Sequence, residues 1–294
     1  MLRRKLFSHI FLLFACCILQ AKDISFTHFT RASDGLSYDG IKAIMEDRNG
    51  GIWIGTHMGL SLFDGKRFTS WNKNDFGVES DFVSSIAEDS EGNIWVGTDS
   101  GVSILERSDH SFRTLAKNIV CTRTYAIARD SRGTMWIGSR GKGLRKCENG
   151  KTALAEGTSD IDNVYRIAID NLDRVFFAAY CDDIYCYDGH SAKPICNGFF
   201  KGDDVEGIVF DGFTDDQALY VASKRNGLCR VDPASGQVEI LYKIGEGQRP
   251  VAISAGSSLV WLSTTGGLVS YDLKTNTASL ITSEKKNPFS LSED

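Results

Sequence analysis

At 294 residues the chain is long enough for one large all-β domain or two smaller ones, and a hydrophobic content of 42% suits a sizeable core. Glycine is plentiful (29) and proline scarce (4), the balance expected of many short strands joined by tight turns. Acidic residues outnumber basic ones 38 to 33 and no basic block occurs, which argues against nucleic acid and anionic lipid as partners.

The N-terminus has the form of an export signal. Arg3, Arg4 and Lys5 precede Leu6 to Ala21, a mostly apolar run of 16 residues. That length suits the apolar region of a signal and is short for a membrane span. The expectation is a signal peptide over residues 1–21 and a periplasmic region over 22–294. An uncleaved anchor, or lipid attachment at Cys16 in Leu13-Phe14-Ala15-Cys16, are the alternatives. Cleavage removes three basic residues and no acid, so the net charge moves from −5 to −8. Cys121, Cys147, Cys181, Cys186, Cys196 and Cys229 remain, without a Cys-x-x-Cys, so no zinc site is expected. Cys181 and Cys186 flank a predicted turn; they can pair across it or stay as buried thiols.

Gly51-Ile52-Trp53-Ile54-Gly55-Thr56 returns as Asn93-Ile94-Trp95-Val96-Gly97-Thr98 and as Thr134-Met135-Trp136-Ile137-Gly138-Ser139. Weaker copies follow at Val175-Phe176-Phe177-Ala178-Ala179, Leu219-Tyr220-Val221-Ala222-Ser223 and Val260-Trp261-Leu262-Ser263-Thr264. The central aromatics step by 42, 41, 40, 44 and 41 residues, a period that marks a propeller or a similar stacked array. Each unit reads as four strands. In the first these are Ile41 to Glu46, Ile52 to Thr56, Leu60 to Phe63 and Arg67 to Trp71. In the second they are Val83 to Glu88, Ile94 to Thr98, Val102 to Leu105 and Ser111 to Leu115. Asp47, Asp89, Asp130, Asp170 and Asp211 open the first turn of five units, where an aspartate can hydrogen-bond the turn's own backbone; turn chemistry is expected of them over a metal role.

The second strand is apolar on both faces, with Ile52 and Ile54 pointing one way and Trp53 and Gly55 the other, so both faces must be covered. Blades stacked around an axis cover them. The repeated tryptophans are then core, and Gly55, Gly97 and Gly138 leave room for a neighbouring backbone or ring. The expected fold is an all-β propeller of four-stranded blades: six complete blades plus an orphan N-terminal outer strand, an incomplete seven-bladed propeller. The orphan is Ile24 to Thr30, which aligns with a fourth strand. At the other end Leu280-Ile281-Thr282 and Asn287-Pro288-Phe289-Ser290-Leu291-Ser292 read as a fourth strand and the loop toward a seventh unit, so the sequence is expected to be the front of a longer protein.

Leu36-Ser37 through Leu60, and the unit from Phe82 to Val102, follow the pattern Leu-Ser-x-x-x-(apolar)-x-x-Ile-x-x-Asp-x-x-Gly-x-(apolar)-Trp-(apolar)-Gly-Thr-x-x-Gly-(apolar). That pattern resembles the two-component regulator propeller repeat, and the likeness spans residues 24–294, strongest in the first three units. The resemblance implies a periplasmic sensor region of a hybrid two-component system of gut Bacteroidetes. Such systems carry two seven-bladed propellers, a β-sandwich, a membrane helix, a histidine kinase, a receiver and a DNA-binding domain, and many detect oligosaccharides. It implies an oligosaccharide or other small-molecule ligand and a second copy of the chain as partners. The downstream sensor and kinase modules are absent from this sequence.

Catalytic constellations are not found: there is no Gly-x-Ser-x-Gly, His-Glu-x-x-His or Walker-type loop. Gly141-Lys142-Gly143 lies in a strand-to-strand turn, and His28, His57, His110 and His190 fall in different units. No enzyme activity, cofactor or metal is expected. One face of a propeller gathers the second-to-third-strand turns, which diverge here while the frame stays constant. The candidate ligand-binding set is His57, Asp99, Arg140, Lys142, Tyr180, Asp182, Lys224 and Arg225. Arg140, Lys142, Lys224 and Arg225 can clamp a carboxylate or sulfate on an acidic sugar, and Tyr180 can stack on a ring; the alternative is that all are solvated turn residues. The functional alternatives to a sensing module are an exported lyase-like propeller enzyme and a truncated relic that does not signal.

Overall fold

The computed structural model describes residues 27–76, 80–109, 111–115, 123–141, 143–210, 217–256 and 258–282. The expected signal and lipobox, His110, Cys121, Lys142, Asp211 and the Asn287–Ser292 motif lie outside them. Phe29–Ile281 forms one compact unit. Of the other, residues 1–28 with 282–294, only Thr27, His28 and Thr282 are described, and none of these is in a strand or helix. Among the described residues no helix is long and apolar enough to cross a membrane.

The 29–281 unit holds six four-stranded antiparallel sheets, each formed by consecutive strands paired in chain order. These are the six blades expected from the repeat. Blade 1 comprises Ile41–Glu46, Ile52–Thr56, Gly59–Phe63 and Phe68–Trp71. The inner strands of the other five are Val83–Glu88, Thr124–Arg129, Val164–Ile169, Val205–Phe210 and Pro250–Ala255, and each packs against the inner strand of the blade before it. Thr27–Thr30, at the end of the expected orphan strand, pairs with no strand.

The core lies between blades. Trp53, Leu60 and Trp71 of blade 1 pack with Val83, Ile94 and Val96 of blade 2. The same arrangement joins blades 2 and 3, 3 and 4, 4 and 5, and 5 and 6. Alternation along the second strand explains it: Trp53 and Gly55 face the next blade, and in each following blade the Ile94-type face looks back. The small Gly55 is needed there, because a Cβ on it would stand 2.5 Å from Val83 Cγ1. On blade 1's other face, Phe29 packs its ring 5.1 Å from Phe63, Ser37 N donates to Ser61 Oγ at 3.0 Å, and Ser70 Oγ donates to the Gly35 carbonyl at 3.0 Å. The segment before the first blade therefore lies over that face.

The turn aspartates close the first hairpins and also clamp the tryptophans. Asp89 Oδ1 accepts from the backbone N–H of Glu91 and Asn93 at 2.9 Å each, and Oδ2 accepts from Trp95 Nε1 at 2.9 Å. Asp47 holds Trp53, and Asp130 holds Trp136, in the same way. Blade 4 has Phe176 where the indole stood, and there Arg174 Nε reaches Asp170 Oδ2 at 2.5 Å while its guanidinium lies over the Phe176 ring. This substitution lets a weak sequence copy keep the same hairpin. Cys147, Cys181, Cys186, Cys196 and Cys229 are free, so the Cys181–Cys186 pairing is not formed.

Candidate functional site

Every inner strand begins with the same irregularity. In blade 1, Ile41 pairs with Thr56 and Ala43 with Gly55, so Lys42 is an extra residue in the ladder. The register slips alike at Ser84, Tyr125, Tyr165, Glu206 and Val251. A β-bulge of this kind re-aims a side chain that regular alternation would turn into the sheet face. All six extra residues line one cavity of about 450 Å³ bounded by the six inner strands. From the second blade onward the residue before the bulge is frame. Val83, Thr124 and Val164 are wholly buried and fill the space beside Gly55, Gly97 and Gly138 of the preceding blade. A constant frame thus presents six different side chains (Lys, Ser, Tyr, Tyr, Glu, Val) to one space.

The second-to-third-strand turns sit at the same end of the blades as the bulges. The backbone N–H groups of His57, Arg140, Tyr180, Lys224 and Thr265 donate to the carbonyls of Gly40, Arg123, Asn163, Asp204 and Arg249, residues just ahead of the inner strands. Two aromatic groups result. Tyr125 and Tyr165 stack at 4.1 Å with 13° between planes, and Tyr165 stacks on Tyr180 at 5.1 Å. Tyr180 is exposed, so the row ends on an open ring. Across the other group, His57 stacks on Phe82 at 4.9 Å and on Tyr38 at 6.1 Å, while the Arg123 guanidinium lies 5.1 Å above the Phe82 ring.

Four charged side chains line the cavity: Lys42, Arg123, Arg166 and Glu206. Arg166 is fixed. Its Nε donates to the Glu206 carbonyl at 2.6 Å, one terminal nitrogen to the Tyr165 carbonyl at 2.9 Å, and the other to Glu206 Oε2 at 3.3 Å. Burial opposes the charge of this guanidinium, and Glu206 supports it. Burial, with the Tyr125 hydroxyl next to it, pushes the Tyr165 phenol well above its ordinary value. His57 is held below the usual histidine value by burial and then by the charge of Lys42, so it is a neutral ring at neutral pH. Among the described residues no group of three or more His, Cys, Asp or Glu side chains is placed to hold a metal ion.

Of the eight residues singled out from the sequence, Lys142 is not described and none of the other seven lines the cavity. His57 and Tyr180 touch residues that do, and Arg140 is bonded through its backbone to Arg123. Asp99 is exposed in its turn. Asp182 accepts from the Tyr185 hydroxyl at 2.8 Å, Lys224 pairs with Asp204 at 2.9 Å, and a terminal nitrogen of Arg225 donates to the Gly202 carbonyl at 2.6 Å. The cavity-lining Lys42, Phe82, Arg123, Tyr125, Tyr165, Arg166 and Glu206 were not among the sequence candidates. For Lys42, Tyr125, Tyr165 and Glu206 the signal is variation at the second position of each inner strand, which only aligned repeats expose.

The first three blades match the two component regulator propeller family over residues 35–58, 77–100 and 118–141. A comparison with curated protein sequences gives no match. Among solved structures, the extracellular domain of a hybrid two component system from B. thetaiotaomicron is similar at TM-score 0.74 and 17% identity, over 92% of this chain and 38% of that one. A second such domain from the same organism is similar at TM-score 0.72 and 18% identity, over 87% of this chain and 38% of the other. Virginiamycin B lyase from Staphylococcus aureus is similar at TM-score 0.69 and 16% identity, over 84% and 85% of the two chains. At these identities the likeness is one of fold, and the chain spans a little over a third of the two extracellular domains, 38% in each case. This chain is thus a six-bladed β-propeller, and three of its segments match the two component regulator propeller repeat.

Proposed function

We propose that the chain is an exported sensing propeller, the input module of a hybrid two-component system, and that its ligand is an oligosaccharide seated at the mouth of the cavity. The observation that carries this reading is the ring of six bulges, a frame that stays constant while the side chains it presents differ. The Tyr125–Tyr165–Tyr180 row gives that ring a rim suited to sugars, since the C–H face of a pyranose packs on an aromatic plane and its hydroxyls reach surrounding polar groups. The cavity, about 450 Å³, falls in the range of small-ligand sites. Two of the similar structures are extracellular domains of hybrid two component systems, which supports export and a signalling role. In this reading transmission belongs to the kinase modules of the longer system and to pairing with a second copy.

The test is calorimetric titration of the purified chain with a panel of oligosaccharides, followed by recovery of the ligand. At least one saccharide is expected to bind and to be recovered unaltered. Tyr180→Ala, at an exposed position, is expected to weaken that binding about tenfold, roughly the 1–3 kcal/mol of a ring stack, while melting at the wild-type temperature. Failure of the whole panel, or a Tyr180→Ala variant that binds as the wild type does, overturns the reading. Recovery of a cleaved ligand would identify an enzyme instead.

A further inference from the structure

The charges around the cavity do not cancel. Of the four charged side chains lining it, Arg166 and Glu206 satisfy each other. Lys42 and Arg123 have no carboxylate partner among the described residues. Of the acids in the turns at this end, Asp204 is engaged by Lys224 and Asp182 by the Tyr185 hydroxyl. A chain of net charge −5 therefore places two cations without a carboxylate partner at the wall of this cavity. Walls of low dielectric focus such a field and raise the local concentration of anions.

These cations are also placed. Arg123 lies over Phe82, which stacks on His57, and Lys42 lines the same cavity as Phe82 and Arg123. Lys42 and Arg123 thus face one cavity, the guanidinium lying over the Phe82 ring. A planar, five-donor guanidinium is suited to a carboxylate or a sulfate. The sequence had suggested this role for the turn cations, but Lys224 and Arg225 are already bonded within the propeller.

Resting on the sensing role proposed above, we propose that the ligand is an anionic saccharide, whose carboxylate or sulfate meets Arg123 and Lys42 while a sugar ring packs on the Tyr125–Tyr165–Tyr180 row. No neutral oligosaccharide makes use of the two uncompensated cations. Arg123 and Lys42 are both exposed, so their replacement leaves the fold intact.

The deciding experiment titrates the full chain with matched acidic and neutral probes: oligogalacturonides and chondroitin sulfate fragments against galactan and dextran fragments. Acidic probes alone are expected to bind, with affinity falling several-fold between 50 and 500 mM NaCl as the charges are screened, by about that order for one or two partly exposed pairs. Arg123→Gln is expected to cost about tenfold toward the acidic probe with an unchanged melting temperature, the size of one charge-assisted hydrogen-bonded contact. Equal or better binding of neutral probes, or no loss in Arg123→Gln, overturns the anionic assignment and leaves the saccharide reading standing. Absence of binding by all four probe classes overturns the anionic assignment, and a wider saccharide panel then decides the broader reading separately.

Discussion

Asp89 accepts hydrogen bonds from two backbone N–H groups, from Asn93 Nδ2 and from Trp95 Nε1, and is itself buried. Burial works against its charge, but the bonds from Trp95, Asn93 and Glu91 outweigh it and hold the carboxyl below the usual carboxylate range. Asp47 is held low against burial by Trp53 and the backbone of Asn49 and Gly51. A carboxylate whose folded pKa is depressed lends stability that is fully present above its unfolded value, about 3.9, and lost as the pH falls through the folded one. Thermal stability is therefore expected to drop below about pH 4, read from melting temperatures between pH 2 and 6. Asp89→Asn removes one such group and sets an amide N–H against the Trp95 indole. It is expected to cost about 1–3 kcal/mol at neutral pH, the penalty of a buried donor left without an acceptor, and to flatten part of the acid dependence. A denaturant titration of this variant at pH 7 and pH 3 checks both statements.

At the scale of the strand, the second strand and the next blade's inner strand fit through glycine. A Cβ at Gly55 would meet the Val83 side chain, whereas one at Gly138 would stand 2.6 Å from the Val164 carbonyl oxygen. Gly55→Ala and Gly138→Ala are each expected to destabilise by about 1–3 kcal/mol, as overpacked cores do. They should differ in rescue. Val83→Ala removes the obstacle to Gly55→Ala, so that double-mutant cycle is expected to show a favourable coupling of about 1 kcal/mol. Val164→Ala leaves the opposing carbonyl in place and is expected to rescue Gly138→Ala far less. Equal coupling in the two cycles would contradict this account. The blade-to-blade contacts by Arg48, whose guanidinium reaches Glu88 at 2.6 Å and the Asp89 carbonyl, tie the same neighbours at the other end of the strands.

Across the whole molecule, the five apolar clusters each belong to two blades, so no blade has a complete core alone. Trp136 packs with Val164, Val175 and Phe177 of the following blade, and its truncation opens that interface. Trp136→Ala is expected to cost about 3–5 kcal/mol, the usual loss for a buried large ring. Because the damage is shared, unfolding should stay a single transition, with tryptophan fluorescence and far-UV circular dichroism moving together at a lower temperature. Two separate transitions would show that blades fold independently.

The period, the strand count and the chemistry of the turns were all written in the sequence, because each is a local matter. The Trp53–Gly55 alternation declares two buried faces, and Asp47, Asp89 and Asp130 stand where a hairpin needs an acceptor. Even the degraded fourth unit could be placed, although nothing in it announced that Arg174 would take over the bond to Asp170. The second-to-third-strand turns share one end of the blades with the bulges, where Tyr180 and His57 stack on residues that line the cavity. Lys42, Tyr125, Tyr165 and Glu206 are not legible in the sequence as cavity residues, because alternation alone assigns them to a sheet face. A bulge is a property of the register between two strands, and the cavity joins residues some 40 positions apart in sequence. Which cations stay uncompensated is likewise settled by packing: Asp204 and Glu206 reach Lys224 and Arg166, and no described acid reaches Arg123 or Lys42. The repeat fixes the frame through local hydrogen bonds and alternation, and the tertiary structure, through non-local register and proximity, decides what that frame presents to a ligand.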